Sequence, residues 1–225
     1  MKLPLSSRLL ACAEFVPQGS RVADIGCDHG YLGIHLLTSG IASSMIESDI
    51  NEGPLQSALH NAHKYGVADK MSFYLSDGVR NIPRDFDALV CAGMGVDTMI
   101  HILDSAPWLK DRKYHMILQC QSKTPMLRRY LSDHGWHIER ESVLRDGKFL
   151  YTVMDIVYAP DAPRLTEGQC YISPALLAHP SQALWEYCAR ITEGLQLAVE
   201  HQQDTQKKAI LEELQKMDLQ KEEAK

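Results

Sequence analysis

At 225 residues, with 45% hydrophobic and 23% charged side chains, the chain has an ordinary globular composition and room for one sizeable α/β core plus a smaller appendage. A formal net charge of −6 speaks against non-specific nucleic-acid binding but leaves room for a local basic patch. Six singly scattered cysteines, with no Cys-x-x-Cys pair, suit a reducing cytoplasm better than disulfides or a zinc site, so no disulfides and no metal are expected. Neither a signal peptide nor a membrane span is read, and no membrane partner is expected.

Residues 4–16 read as a short amphipathic helix, ended by Pro17 and Gly19. A strand over 20–25 follows, then a helix over 30–39 stopped by Gly40. A second strand, 44–48, leads to Asp49, and Gly53-Pro54 starts a helix that Gly66 caps. The third strand, 71–75, ends at Ser76-Asp77-Gly78. The fourth, 86–91, ends in Ala92-Gly93-Met94-Gly95, with a helix over 96–103 behind it. A fifth strand spans 115–119, and residues 125–134 form a helix. Two β-patterned runs, 137–144 and 149–158, are joined through Asp146-Gly147, a strong hairpin signal.

Alternating strands and helices predict an α/β fold with a doubly wound, mostly parallel seven-stranded sheet. A parallel sheet finished by an antiparallel pair is the Rossmann-like class I methyltransferase arrangement, an analogy that fixes no chemistry. Ala159-Pro160-Asp161-Ala162-Pro163 marks a boundary. Residues 1–160 are expected to form the cofactor-binding domain and 161–225 a helical domain. In the second, Leu184, Cys188, Ile191, Leu195 and Ala198 recur at coiled-coil spacing, and Ile210, Leu214 and Met217 repeat it, as in an antiparallel hairpin. This segment carries 7 basic against 11 acidic side chains, and its QKEEAK end is expected to fray. A monomer or weak dimer is expected.

The residues richest in chemistry sit at strand ends. Asp24, Gly26, Cys27 and Gly30 form a tight turn from strand to helix, which brings backbone N–H groups to a ligand. Asp49 and Asp77-Gly78 stand at the next two strand ends, where open α/β sheets bind ligands. A carboxylate after the second strand suits ribose hydroxyls, and Asp77 with Gly78 suits an adenine edge. Nicotinamide dinucleotides are the nearest rival. But Asp28 stands where a pyrophosphate needs bare backbone, and its carboxylate would repel that group. S-adenosyl-L-methionine has no phosphate and carries a cationic sulfur, so an acidic turn suits it. Ala92, Gly93, Met94 and Gly95 open space for a flat acceptor. Gln119 and Gln121 are candidates for hydrogen-bonding a base. Lys2, Arg8, Lys123, Arg128 and Arg129 are candidates for facing a polynucleotide. His60 and His63, at i and i+3 without a third ligand, read as solvent-exposed, and the thiols of Cys27 and Cys120 as packing groups.

The runs Asp24-Ile25-Gly26-Cys27-Asp28-His29-Gly30-Tyr31-Leu32, Glu52-Gly53-Pro54, Ser76-Asp77-Gly78 and Ala92-Gly93-Met94-Gly95 resemble the bacterial tRNA (adenine-22-N1)-methyltransferase family. So does the opening Leu5-Ser6-Ser7-Arg8-Leu9. The similarity spans about residues 5–158, and the helical tail resembles that family's coiled-coil domain. The resemblance implies an S-adenosyl-L-methionine-dependent enzyme, tRNA as partner and methylation at adenine N1. Asp28 is then the expected group accepting from the adenine N6–H, with His29 orienting it. The chain departs from the family pattern at Val96, where a glycine is usual, and at Cys120-Gln121, where Pro-Asn is usual. A methyltransferase with another acceptor and a non-catalytic binder of the cofactor or of RNA are the alternatives.

Overall fold

A computed structural model describes residues 3–202 and 204–217; Lys2 and the QKEEAK end lie outside the described residues. Five strands run parallel: β1 (Ser20–Ile25), β2 (Ala42–Asp49), β3 (Met71–Leu75), β4 (Ala88–Met94) and β5 (His115–Cys120). β6 (Trp136–Asp146) and β7 (Phe149–Tyr158) complete a seven-stranded sheet in the order β3-β2-β1-β4-β5-β7-β6, with β7 antiparallel to both its neighbours. The doubly wound sheet with a terminal hairpin is therefore as expected. Strand order reverses between β1 and β4, so a crevice opens beyond their carboxyl ends, where such sheets bind ligands.

Alternate residues feed two cores. On β4, Leu89 and Cys91 face α4 (Val96–Ser105) and α5 (Thr124–Asp133), while Ala88 and Val90 face α1 (Ser7–Phe15) and α2 (Tyr31–Thr38). Burial of both faces explains why the central strands read as continuous apolar runs. α3 (Glu52–Lys64) covers β2 and β3 on the α2 side. The Ser6 hydroxyl caps α1, accepting from the Leu9 N–H. α2 has no side-chain cap and starts from Gly30 at φ +68°, so its first N–H groups stay open toward the crevice.

Two of the boundary differences change the setting of a motif. β4 continues through Met94 with a register shift between Ala92 and Met94, so Ala92-Gly93-Met94 is a bulged strand end rather than a loop. At the hairpin tip Asp146 still pairs with Phe149, which leaves Gly147-Lys148 as the two-residue turn.

Beyond residue 160 come α6 (Glu167–Tyr171), α7 (Pro174–Leu177), α8 (Gln182–Gln202) and α9 (Thr205–Lys216). Leu184, Cys188 and Leu195 of α8 bury against Ile210 and Leu214 of α9, as the seam predicts, with Ile191 only partly buried. α6 and α7 were not anticipated. A Thr166–Gln169 capping box starts the first, and Ser173 with Pro174 starts the second. Ile172 and Leu176 join the α8–α9 core to Val143 of β6. All six cysteines are free and buried, and no helix among the described residues is long and apolar enough to cross a membrane.

Candidate active site

The turn after β1 is held from both sides. The Gly26 and Cys27 N–H groups donate to the Ser48 carbonyl at 2.7 and 3.0 Å. Gly26 has φ +74°, so the turn favours glycine, and a Cβ there would lie 2.5 Å from the Met94 methyl and displace it. Asp28 adopts φ +50°, a left-handed conformation that aspartate tolerates better than most residues. Its N–H points to Asp49 Oδ2 at 3.4 Å, and its carboxylate lies 3.6 Å from His29 Nε2. Asn61 of α3 donates to the His29 carbonyl at 3.0 Å, fastening the turn to the next helix.

Charge is buried beneath this turn. Asp24 is 4% exposed, and burial, followed by the Asp49 carboxylate, pushes its carboxyl from 3.8 up to about 7. Glu47 pairs with Asp24 across the β1–β2 ladder and is fully buried. Neither of its carboxylate oxygens meets hydrogen-bond geometry, and Gly33 of α2 lies so close that a Cβ there would collide with Oε1. Burial, then Asp24, pushes the Glu47 carboxyl well up, and the weakly donating Cys27 thiol offsets only part of this. The same burial, with Glu47, Asp24 and Asp49 nearby, pushes the Cys27 thiol up and leaves it a neutral packing group.

Above these carboxyls lies a cavity of about 250 Å³ whose walls include Arg8, Asp24, Gly26, Asp28, His29 and Gly93. Arg8 reaches in from α1 and lies against Gly93, where a Cβ would sit 3.1 Å from Nη1. Gly93 also holds φ +79°, a backbone conformation that favours glycine. Asp49 stands half-buried at the end of β2, accepting from the Asn51 N–H at 2.9 Å. Asp77 is paired with Arg80 at 2.9 Å, with His101 at 3.7 Å, and the Gly78 carbonyl accepts from Ser48 and Ser76 hydroxyls. Two carboxyls in the wall, Asp24 and Asp28, with the one guanidinium of Arg8 suit a small zwitterion that carries an additional positive charge. S-adenosyl-L-methionine has that charge pattern.

Comparison with known proteins agrees. The family described as "Methyltransferase domain" matches residues 5–154. The tRNA (adenine(22)-N(1))-methyltransferase of Bacillus subtilis is 31% identical over 180 residues, 80% of this chain and 75% of its own length. The chain belongs to the tRNA (adenine-22-N1)-methyltransferase family. The crystal structure of the Bacillus subtilis tRNA methyltransferase TrmK superposes with a TM-score of 0.79 at 28% identity, covering 97% of each chain. A Streptococcus pneumoniae relative solved in complex with S-adenosyl-L-methionine gives a TM-score of 0.82 at 28% identity, over 94% of this chain and 98% of that one.

Against this family frame, the acceptor side needs two corrections. Gln119, proposed to bind a base, is fully buried: its Oε1 accepts from the Gly93 N–H at 3.0 Å and its Nε2 donates to the Cys120 carbonyl at 2.8 Å. Both ends of the amide are occupied, so Gln119 holds the Gly93 bulge in place. Arg128, proposed to meet a polynucleotide, is also fully buried, forked onto Glu141 at 2.8–3.2 Å. Its remaining N–H groups donate to the carbonyls of Cys170 and Tyr171, so it serves the C-terminal segment. Arg129 is half-buried and pairs with Glu167. Gln121 is exposed at the loop after β5, with its N–H on the Met94 carbonyl at 2.9 Å, and Gly95 opens onto free space at the start of α4. The two departures from the family pattern have structural explanations. Val96 is buried in the core as the first residue of α4, and the Cys120 thiol donates to the Ser122 carbonyl at 2.9 Å to close its loop.

Sequence reasoning missed Glu47, Tyr31, Arg80 and His101. For Glu47 a signal existed: it shares the alternation of Met45 in a strand whose neighbours are buried.

Proposed function

We propose that this chain methylates N1 of adenine 22 in tRNA, acting in the cytoplasm with S-adenosyl-L-methionine as donor. The observation that supports this reading best is a pocket with Asp24, Asp28 and Arg8 in its wall, opening beside a strand end where Gly93 and Gly95 carry no side chain of their own. S-adenosyl-L-methionine supplies an electrophilic methyl group on a cationic sulfur. Asp24, Asp49 and Asp77 with Gly78 are the groups that hold it, Asp49 suited to ribose hydroxyls and Asp77 to an adenine edge. Arg8 supplies a counter-charge for a carboxylate at the rim. Adenine N1 offers a free lone pair, so the chain needs no general base, and positioning does most of the catalysis. Positive charge develops on the adenine ring as N1 is alkylated. The exposed Asp28 carboxylate, accepting from N6–H, stabilises it, and His29 orients that carboxylate. Extracting adenine from the tRNA fold costs a few kcal/mol, which contacts outside the pocket must offset.

The test is to incubate the chain with labelled donor and a tRNA transcript, then map the product by reverse-transcription arrest. Arrest at position 22, abolished when adenine 22 is replaced by guanine, is expected. Incorporation elsewhere, or none on any tRNA, overturns the reading. Asp28→Asn should lower kcat by roughly 10²–10³-fold; full turnover would remove Asp28 from this role.

A further inference from the structure

Next to the cofactor cavity, and sharing His29 and Tyr31 with it, runs an open groove of about 400 Å³ formed with Gln56, Ser57, His60 and Asn61 of α3. Its walls contain no Lys, Arg, Asp or Glu. They offer instead two rings, His29 and Tyr31, with centroids 5.9 Å apart and planes inclined by 43°. Around the rings stand neutral hydrogen-bonding groups. Gln56 and His60 are exposed, and among the described residues neither side chain is hydrogen-bonded to the protein. At the floor, buried Asn61 donates to the His29 carbonyl at 3.0 Å and ties α3 to the turn.

We propose that this groove binds a nucleobase of the RNA next to the target adenosine. With no Lys or Arg in its walls, the groove gives a phosphate no fixed counter-charge. Paired rings with unspent amide and imidazole groups match the stacking face and the polar edge of a base, which every nucleobase presents. The shared His29–Tyr31 wall links the two cavities, so a base gripped here keeps its neighbour from restacking once that neighbour has turned into the cofactor pocket. This contributes to offsetting the cost of extrusion, and acts from outside the reacting atoms. The proposal rests on reading the chain as an RNA methyltransferase.

Two measurements separate its failure from the failure of that reading. In the first, the double variant Gln56→Ala/His60→Ala, altered only on the exposed face of α3, is assayed on tRNA. KM for tRNA should rise about tenfold while the Kd for S-adenosyl-L-methionine stays put. An abasic nucleotide flanking the target should reproduce that loss in the parent and add nothing in the variant. A parent that methylates tRNA and a variant with the same KM overturn the groove but leave the function intact. In the second, the full chain is titrated with a short adenosine-containing dinucleotide, and the histidine ring signals are followed by NMR. Shifts of His29 and His60 that leave His134 and His137 unmoved are expected. No shift at His60, or an equal shift with inorganic phosphate, overturns the groove whether or not tRNA is methylated.

Discussion

The chain buries charge in two places and treats it in opposite ways. Between α5, β6 and the C-terminal helices, Arg128 and Glu141 are both fully buried, and their partners close around them: the Ser173 hydroxyl donates to Glu141 at 2.5 Å, and two carbonyls take the outer guanidinium N–H groups. Under the β1 turn, Asp24 and Glu47 are also buried, yet among the described residues no cation forms an ion pair with either, and burial pushes both carboxyls up. A satisfied pair holds two parts of a fold together. An unsatisfied acid pair is a standing cost that protonation or a ligand of opposite charge relieves, so the contrast separates stability from function.

The sharpest way to break the contrast is at the satisfied pair. Arg128→Ala leaves Glu141 charged and alone in the interior, and should destabilise the chain by about 3–5 kcal/mol in urea unfolding. The double change Arg128→Met/Glu141→Leu should recover most of that loss, because removing both charges removes the unpaired one. If the single variant instead loses tRNA binding at full stability, the corrected role of Arg128 is wrong.

At the unsatisfied pair the effect should appear in affinity. Asp24→Asn should weaken S-adenosyl-L-methionine binding roughly 10- to 100-fold by calorimetry, with stability unchanged or higher. The pH dependence has a definite sign. A cationic ligand favours ionised Asp24, so affinity in the parent should climb as pH rises through about 7 and level off above it. Asp24→Asn should flatten that climb. An unchanged profile would mean that Asp24 stays neutral under the bound ligand.

The two regions also differ in how legible they were. The turn could be read because its geometry is local: left-handed backbone at Gly26 and Gly30 demands glycine, and apolar runs ending in Asp mark the strand ends. Arg128 could not be read, because Arg128 and Arg129 stand side by side on one helix and nothing local distinguishes the buried one. Its partners lie 13 to 59 positions away, at Glu141, Cys170, Tyr171 and Tyr187. Gln119 was misjudged for the same reason, since the Gly93 N–H that occupies it lies 26 positions off on the neighbouring strand. α6 and α7, at five and four residues, are too short to show helical periodicity, and only their capping residues announce them.

The smallest expected effect isolates the cost of the unsatisfied pair from ligand binding altogether. Glu47 is not among the residues lining the cofactor cavity, so Glu47→Gln should leave donor affinity nearly intact and change only stability. Its folded carboxyl titrates well above the ordinary 4.5, so the folded state holds a proton that the unfolded chain releases as pH rises past 4.5. Stability from this group is therefore full below pH 4.5 and is lost as pH climbs toward the folded pKa. Glu47→Gln cannot release that proton. The stability gap in its favour should open by about 1.4 kcal/mol per pH unit across that window, read as the difference between two urea titrations run in parallel. A gap that stays constant with pH would show that Glu47 finds a partner after all, and would reduce the pair to Asp24 alone.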